Sequence, residues 1–188
     1  MKHYRKYKIK YFERFGIQRQ IFAAKLDEAF FKEWHDKLSI NPEGNWHQTA
    51  STCIRLLVEH PDAPEWLRDI YAVHPRYDRR HTAFLSRSGN YKYKNIDRIL
   101  ADRSNTIKTF FFHSVLYDLK NGIEVQPEHL SKTLESPSSI PSLKVLLKQT
   151  ISEEVGALIH PDPTVRTLAK IFYNASPEQK QLLLSSTK

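Results

Sequence analysis

A chain of 188 residues with 40% hydrophobic and 27% charged residues has the composition of a folded protein that buries a core. Ten Phe, nine Tyr and three Trp exclude a disordered chain, and only five Gly argue against an all-β barrel or a glycine-rich nucleotide fold. The net charge of +8 is uneven, because residues 1–25 carry eight Lys or Arg against one acid and residues 76–108 carry nine against three.

The first quarter of the chain holds one ambiguous segment and two predicted helices. Residues 2–15 partly alternate polar and apolar side chains, which suits a strand or a basic helix alike. From Ile17 to Leu38 the apolar residues recur at three- and four-residue steps, which predicts a helix. Residues 41–45 form a break, and the next helix is predicted over Thr49–Glu59.

Beyond this point, helices are predicted to end repeatedly at a short breaker that is followed at once by another helix. Proline fits the first turn of a helix, and a nearby Asp or Ser can accept from its free N–H groups. Short amphipathic helices of this kind bury their apolar faces by stacking on their neighbours. The junctions are His60-Pro61-Asp62, His74-Pro75-Arg76, Asp102-Arg103-Ser104, Ser136-Pro137-Ser138 and His160-Pro161-Asp162.

Two segments that contain such junctions carry a family resemblance. The segment EHPDAPEWLRDIYAVHP at 59–75 resembles the leucine-rich repeat variant, and HPDPTVRTLA at 160–169 is similar to both that repeat and the HEAT-type hairpin. The resemblance implies an all-α, irregular solenoid-like repeat of short helical hairpins. Residues 1–48 would then form a basic segment and capping helix, and residues 49–188 one repeat domain. The alternative is an irregular helical bundle whose helices share proline-containing starts.

The basic, aromatic stretches are the main candidates for function. Guanidinium groups pair phosphates, and interleaved Tyr rings can stack on unpaired bases. We therefore expect a non-catalytic module that binds the backbone of DNA or RNA, or another polyanion. The predicted contact residues are Arg76, Arg79, Arg80, Arg87, Lys92, Lys94, Arg98, Lys6, Lys8 and Lys10.

Two other functions stay open. The chain could be a protein–protein adaptor of the solenoid type for an acidic protein surface, in which case an exposed apolar patch is expected near Phe110–Phe112. Arg76 and His81 also fit the loose Arg-x4–6-His signature of the HEPN ribonucleases, in which Arg and His act on the scissile phosphate. Tyr77 departs from that pattern, which often has a polar residue after the Arg.

Several kinds of site are not expected. Cys53 is the single cysteine, so neither an intrachain disulfide nor a cysteine-based zinc site is predicted. The histidines lack the spacing of a metal site, and we expect no cofactor. The basic start lacks the apolar run of a secretory signal, and no window approaches 18 apolar residues. The sequence therefore predicts a cytoplasmic protein that does not bind membranes.

Overall fold

The computed structural model describes residues 26–39, 54–85, 91–136 and 140–188 of the chain. Within these ranges every regular element is a helix and there is no strand, which confirms the all-α prediction. The chain divides into two compact units, Met1–Tyr91 and Lys92–Lys188. The boundary predicted after residue 48 lies outside the described residues.

Unit 1 contains three described helices of eight or more residues: α1 (Glu28–Ser39), α2 (Glu65–Ala72) and α3 (Tyr77–Leu85). Residues 54–58 are also helical. The short helix α4 (Tyr91–Lys94) begins at the last residue of this unit. Helix α2 packs against α3. The buried core of the unit includes Phe31, Leu57, Leu67, Tyr71, Ala83 and Phe84.

Unit 2 continues with the short helix α5 (Ile96–Leu100). It is followed by α6 (Asn105–Lys120), which at sixteen residues is the longest described helix of the chain. The remaining elements are α7 (Pro127–Glu135), α8 (Pro141–Ser152), a 3-10 helix (Glu154–Ile159), α9 (Pro163–Asn174) and α10 (Pro177–Ser186).

The starts of the later helices follow from local chemistry. Helices α7 to α10 each have proline in the first turn, where its missing N–H leaves no hydrogen bond unmade. Asp162 caps α9 by accepting from the backbone N–H of Thr164 at 2.7 Å. Ser176 and Gln179 form a capping box at α10. The four predicted junctions that the structure describes in full, at residues 60–62, 74–76, 102–104 and 160–162, each lie between two helices. Pro137 and Ser138 of the fifth lie outside the described residues.

The core of unit 2 is built around α9. Its buried residues Val165, Leu168, Ala169 and Phe172 recur at helical spacing, so one face of the helix is apolar. This helix packs against α6, α8 and the 3-10 helix, while α10 packs against α7. Side chains of α6, α7 and α8 complete the core, including Phe111, Val115, Leu119, Leu130, Leu134, Leu143 and Leu147.

The three His-Pro junctions share one hydrogen-bond arrangement. In each, Nδ1 of the histidine accepts from the backbone N–H two residues later, at 3.0–3.1 Å. In each, an arginine at the fourth position of the following helix donates to the carbonyl oxygen of that histidine. The pairs are Arg68 with His60, Arg80 with His74 and Arg166 with His160. The likeness is local, and a stack of repeats remains a prediction.

The 3-10 helix after α8 has unusual backbone and surface features. Glu154 adopts a φ of 48°, in the left-handed region that favours glycine. Of the six residues in this element only Ala157 is buried. Val155 and Ile159 are exposed, and six residues is long for a 3-10 helix. The segment is therefore a strained connection between α8 and α9.

Candidate functional site

The basic residues predicted to bind phosphate fall in both units, and the three of unit 1 that the structure describes, Arg76, Arg79 and Arg80, are engaged within the unit. Arg76 is exposed, but its Nε and Nη2 donate to the two carboxylate oxygens of Asp78 at 3.1 and 2.9 Å. This hydrogen bonding raises the pKa of Arg76. Burial alone would raise the pKa of Asp78, but the hydrogen bond and charge of Arg76 hold it below its ordinary value.

Arg79 and Arg80 are buried, with only 8% and 6% of their surface exposed. Arg80 donates through Nη1 to the carbonyl oxygens of His74 and Pro75 at 2.9 and 2.8 Å. The guanidinium of Arg79 lies 5.7 Å from the centre of the Tyr71 ring, and its Nε and Nη1 are buried without a hydrogen-bond partner. Burial lowers the pKa of Arg79. Neither guanidinium presents its donors to solvent.

In unit 2 the predicted contact residues divide into one partly buried side chain, Lys92, and two exposed ones. Nζ of Lys92 forms an ion pair with Asp118 and donates to Oγ of Ser114 at 3.3 Å. Lys94 and Arg98 are exposed, and Arg98 donates to the side-chain oxygen of Asn95 at 3.2 Å. The other predicted contact residues, Lys6, Lys8, Lys10 and Arg87, lie outside the described residues, as does Cys53.

The Arg and His of the ribonuclease-like signature are both in unit 1. His81 is half-buried and its Nε2 atom has no exposed surface, so burial lowers the pKa of the imidazole. Arg76 is held by Asp78, as described above. A ribonuclease of this type needs both side chains on one phosphate, but Nε and Nη2 of Arg76 are engaged by Asp78 and Nε2 of His81 is buried. A catalytic role for the pair stays a prediction.

Helix α6 has an exposed face that contains none of the predicted phosphate-binding residues. Phe110 and Tyr117 are 50% and 64% exposed, and His113 and Lys120 are exposed on the same side of the helix. At 100° per residue these four positions fall within about 80° of arc. We call this set the α6 face. Its two aromatic rings are separated by seven residues, which is about 10 Å along the helix axis.

The opposite side of α6 fixes the helix in unit 2. Ile107, Phe111, Val115 and Leu119 are completely buried, and the helix packs against α9 and α5. Burial of each such side chain stabilises the folded state by about 1.5–3 kcal/mol. The α6 face is therefore presented by a helix whose position is set by its own core contacts.

A buried polar cluster also holds α6. The hydroxyl of Tyr93 donates to Oδ2 of Asp118 at 2.7 Å, and Lys92 pairs with the same carboxylate. The Tyr93 ring stacks on His129 at 5.4 Å between ring centres. Burial, together with the bond to Asp118, raises the pKa of Tyr93 far above its ordinary value. These groups satisfy one another and bind α4 to α6 and α7.

The sequence contains the signal for the α6 face, although only part of it was interpreted. Phe110, Phe111 and Phe112 are consecutive, so a helix must direct them to different sides. The buried residues Ile107, Phe111, Val115 and Leu119 define one stripe, which leaves Phe110 and Tyr117 on the other side. Tyr117 and His113 were not predicted, because the run of three Phe does not by itself show which side of the helix is buried.

Comparisons with known proteins add nothing to these observations: no family model, no curated protein and no solved structure matches the chain. Within the described ranges, no three His, Cys, Asp or Glu side chains come together as metal ligands would. In the same part of the chain, none of the helices combines the length and apolar character needed to cross a bilayer. The site must therefore be interpreted from its own geometry.

Proposed function

We propose that this chain is a non-catalytic protein-binding module and that the α6 face is its binding surface. The observation that carries the proposal is the exposure of Phe110 and Tyr117 on a helix whose other side is completely buried. Aromatic rings are enriched at protein interfaces, where burying them contributes much of the binding free energy. A helix that is already fixed by its core loses little conformational freedom when a partner binds.

The presence of two rings on one side of a long, packed helix distinguishes this face from other exposed apolar side chains. Val155 and Ile159 are also exposed, but they lie on the strained 3-10 helix rather than on a long helix packed against a core. A single exposed apolar residue is normal on a protein surface. Two rings on one side of a fixed helix, with His113 between them, form a continuous surface that a partner can cover.

The nucleic-acid hypothesis has less support from the side-chain contacts. Its central residues, Arg79 and Arg80, are buried, and Lys92 is committed to Asp118. A protein that binds a phosphate backbone uses several accessible cations, typically about six to ten contacts. Lys94 and Arg98 are exposed, so weak backbone binding is the competing prediction, and the experiment below includes it.

Differential capture tests the proposal. The wild-type chain, a Phe110→Ser/Tyr117→Ser variant and a Tyr77→Ser control are immobilised and exposed to nuclease-treated lysate of the source organism. Tyr77 is 55% exposed in unit 1, so the control removes an equally exposed ring elsewhere. A protein captured by wild type and control but lost with the double variant is then produced alone. Its Kd should rise about tenfold or more when both rings are removed.

Two results would contradict the proposal. Equal capture by all three chains would show that the α6 face is not the interface. Binding of single- or double-stranded DNA or RNA in fluorescence anisotropy, weakening steeply with salt and unaffected by the double variant, would instead support the nucleic-acid hypothesis. Circular dichroism of the double variant checks that it keeps its helices.

A further inference from the structure

The charges around the α6 face indicate the chemistry of its partner, if the proposed function is correct. Residues 92–120 contain six Lys or Arg and three Asp, a net charge of +3. Each of the three carboxylates accepts from a group within unit 2. Asp97 accepts from Lys132 at 2.7 and 2.8 Å, Asp102 from the backbone N–H of Ser104 at 2.7 Å, and Asp118 from Tyr93.

Exposed cations precede α6 and end it, while the acidic side chain of the helix is buried. Arg103 precedes the first residue of α6 by two positions and Lys120 is its last residue, and both are exposed. The acidic side chain within α6 itself, Asp118, is buried beneath Tyr93 and Lys92. The row of Phe110, His113 and Tyr117 therefore lies between two positive ends with no exposed carboxylate on the helix.

The geometry of the row favours a helical partner over an extended one. An extended peptide that binds by strand addition needs a sheet edge, and the described residues contain no strand. The rings of Phe110 and Tyr117 are two turns apart, about 10 Å, and apolar residues at i and i+7 of a partner helix have the same separation. Ridges formed by such residues pack between the side chains of a facing helix.

We propose that the partner of the α6 face is an acidic amphipathic helix. Its apolar stripe covers Phe110 and Tyr117, and its carboxylates lie near Arg103 and Lys120. Electrostatic attraction of this kind raises the association rate and discriminates against basic partners, while the buried rings supply most of the affinity. This inference depends on the proposed function, since it assigns a partner class to the same surface.

Synthetic peptides test the charge and the apolar stripe separately. Three labelled peptides of about 18 residues, five helical turns, are titrated with the full chain in fluorescence anisotropy. The first has Leu and Phe on one face and Glu on the other, the second has Lys in place of every Glu, and the third keeps Glu but has Ala in place of the apolar stripe. An oligo-dT of similar charge is the nucleic-acid probe.

We expect the acidic amphipathic peptide to bind about tenfold or more tightly than its basic twin, and the stripe-less peptide to bind about as weakly as the basic one. The Phe110→Ser/Tyr117→Ser variant should weaken binding of the acidic amphipathic peptide about tenfold or more, while Tyr77→Ser leaves it unchanged. The Arg103→Gln/Lys120→Gln variant should reduce the preference for the acidic over the basic peptide, and high salt should do the same.

Each other outcome overturns a specific part of the argument. If acidic and basic peptides bind equally and both depend on the two rings, the acidic partner is overturned and the proposed function survives. If no peptide binds in a ring-dependent way, the acidic helical partner is overturned, and the capture experiment then decides the proposed function. Ring-dependent binding of oligo-dT that exceeds binding of every peptide overturns both in favour of single-stranded nucleic acid.

Discussion

The Nη1 atom of Arg166 donates to the carbonyl oxygen of His160 at 2.6 Å and to that of Pro161 at 2.8 Å. The Nδ1 atom of the same histidine accepts from the backbone N–H of Asp162 at 3.0 Å. The side chain and the carbonyl of His160 thus both hold the backbone of the junction before α9. Arg80 and His74 make the same contacts before α3.

Removing the arginine of this junction should destabilise unit 2. We expect Arg166→Met to lower the free energy of unfolding by about 1–3 kcal/mol, because two carbonyls lose a charged donor while the apolar stem is kept. Urea unfolding followed by circular dichroism measures the change. Lys170→Met is the matched control, since Lys170 is exposed on the same helix and should change stability by less than about 0.5 kcal/mol. Equal losses in both variants would contradict a special role for the junction.

Adjacent arginines in α3 should respond differently to the same substitution. Arg80→Met removes donors from two carbonyls and should cost about 1–3 kcal/mol. Arg79→Met removes a buried guanidinium whose Nε and Nη1 make no hydrogen bond. The variant gains stability because no charge has to be desolvated on folding, and it loses stability because the contact with the Tyr71 ring is gone, so the two effects should nearly cancel. We expect a change within about 1 kcal/mol of zero. Thermal unfolding of both variants measures the two changes in stability. A larger loss for Arg79→Met than for Arg80→Met would contradict the roles given to the two arginines.

The buried pair of Lys92 and Asp118 should show strong coupling. Lys92→Met leaves a buried carboxylate without its cation and should cost about 3–5 kcal/mol. The double variant Lys92→Met/Asp118→Leu removes both charges and should recover much of that loss. A double-mutant cycle in urea measures the coupling, with Lys94→Met as the exposed control two residues away. Additive losses would show that the pair does not interact.

Stability should fall on acidification. Burial, as the largest cause, holds the pKa values of His74, His81 and His129 below that of an ordinary histidine. The unfolded chain therefore binds more protons than the folded chain as the pH falls below about 6.5. The contribution of these three neutral histidines to the free energy of unfolding is fully present above that pH and is lost as the pH falls through their folded-state pKa values.

Urea midpoints compared at about pH 7.5 and about pH 5.5 test this, above the range where ordinary carboxylates titrate. The midpoint should be lower at the acidic pH. His129→Phe keeps a ring against Tyr93 but removes the titration, so it should reduce the difference between the two midpoints. A midpoint that rises on acidification would contradict the sign of the argument.

The backbone strain at Glu154 predicts a stabilising substitution. Its φ of 48° costs a non-glycine residue about 1–2 kcal/mol, and glycine removes this cost but adds about 0.5–1 kcal/mol of unfolded-state entropy. We therefore expect Glu154→Gly to stabilise the chain by about 0.5 kcal/mol. Gly156→Ala is a useful comparison, because a Cβ there meets no atom within 4 Å. A loss of stability in Glu154→Gly would show that the side chain matters more than the strain.

Local features of this fold could be predicted from the sequence because local chemistry determines them. The four junctions that are fully described lie between helices, since proline, Asp and Ser act on the backbone beside them. Helix α4 was not predicted, because four residues carry no helical period. Exposure of charge was the harder question. The burial of Arg80 depends on carbonyls that folding brings to its guanidinium, and composition does not report that.

The shared use of one histidine by two different donors has an evolutionary consequence. At His160 the ring fixes the backbone N–H of Asp162, and the carbonyl fixes Arg166. Loss of the arginine removes the donor to that carbonyl, and loss of the histidine frees the N–H and shifts the carbonyl that the arginine binds. Neither change is neutral alone, so the two residues should be gained and lost together among homologues. Such covariation, at His74 with Arg80 as well, would identify distant relatives whose sequences otherwise share little.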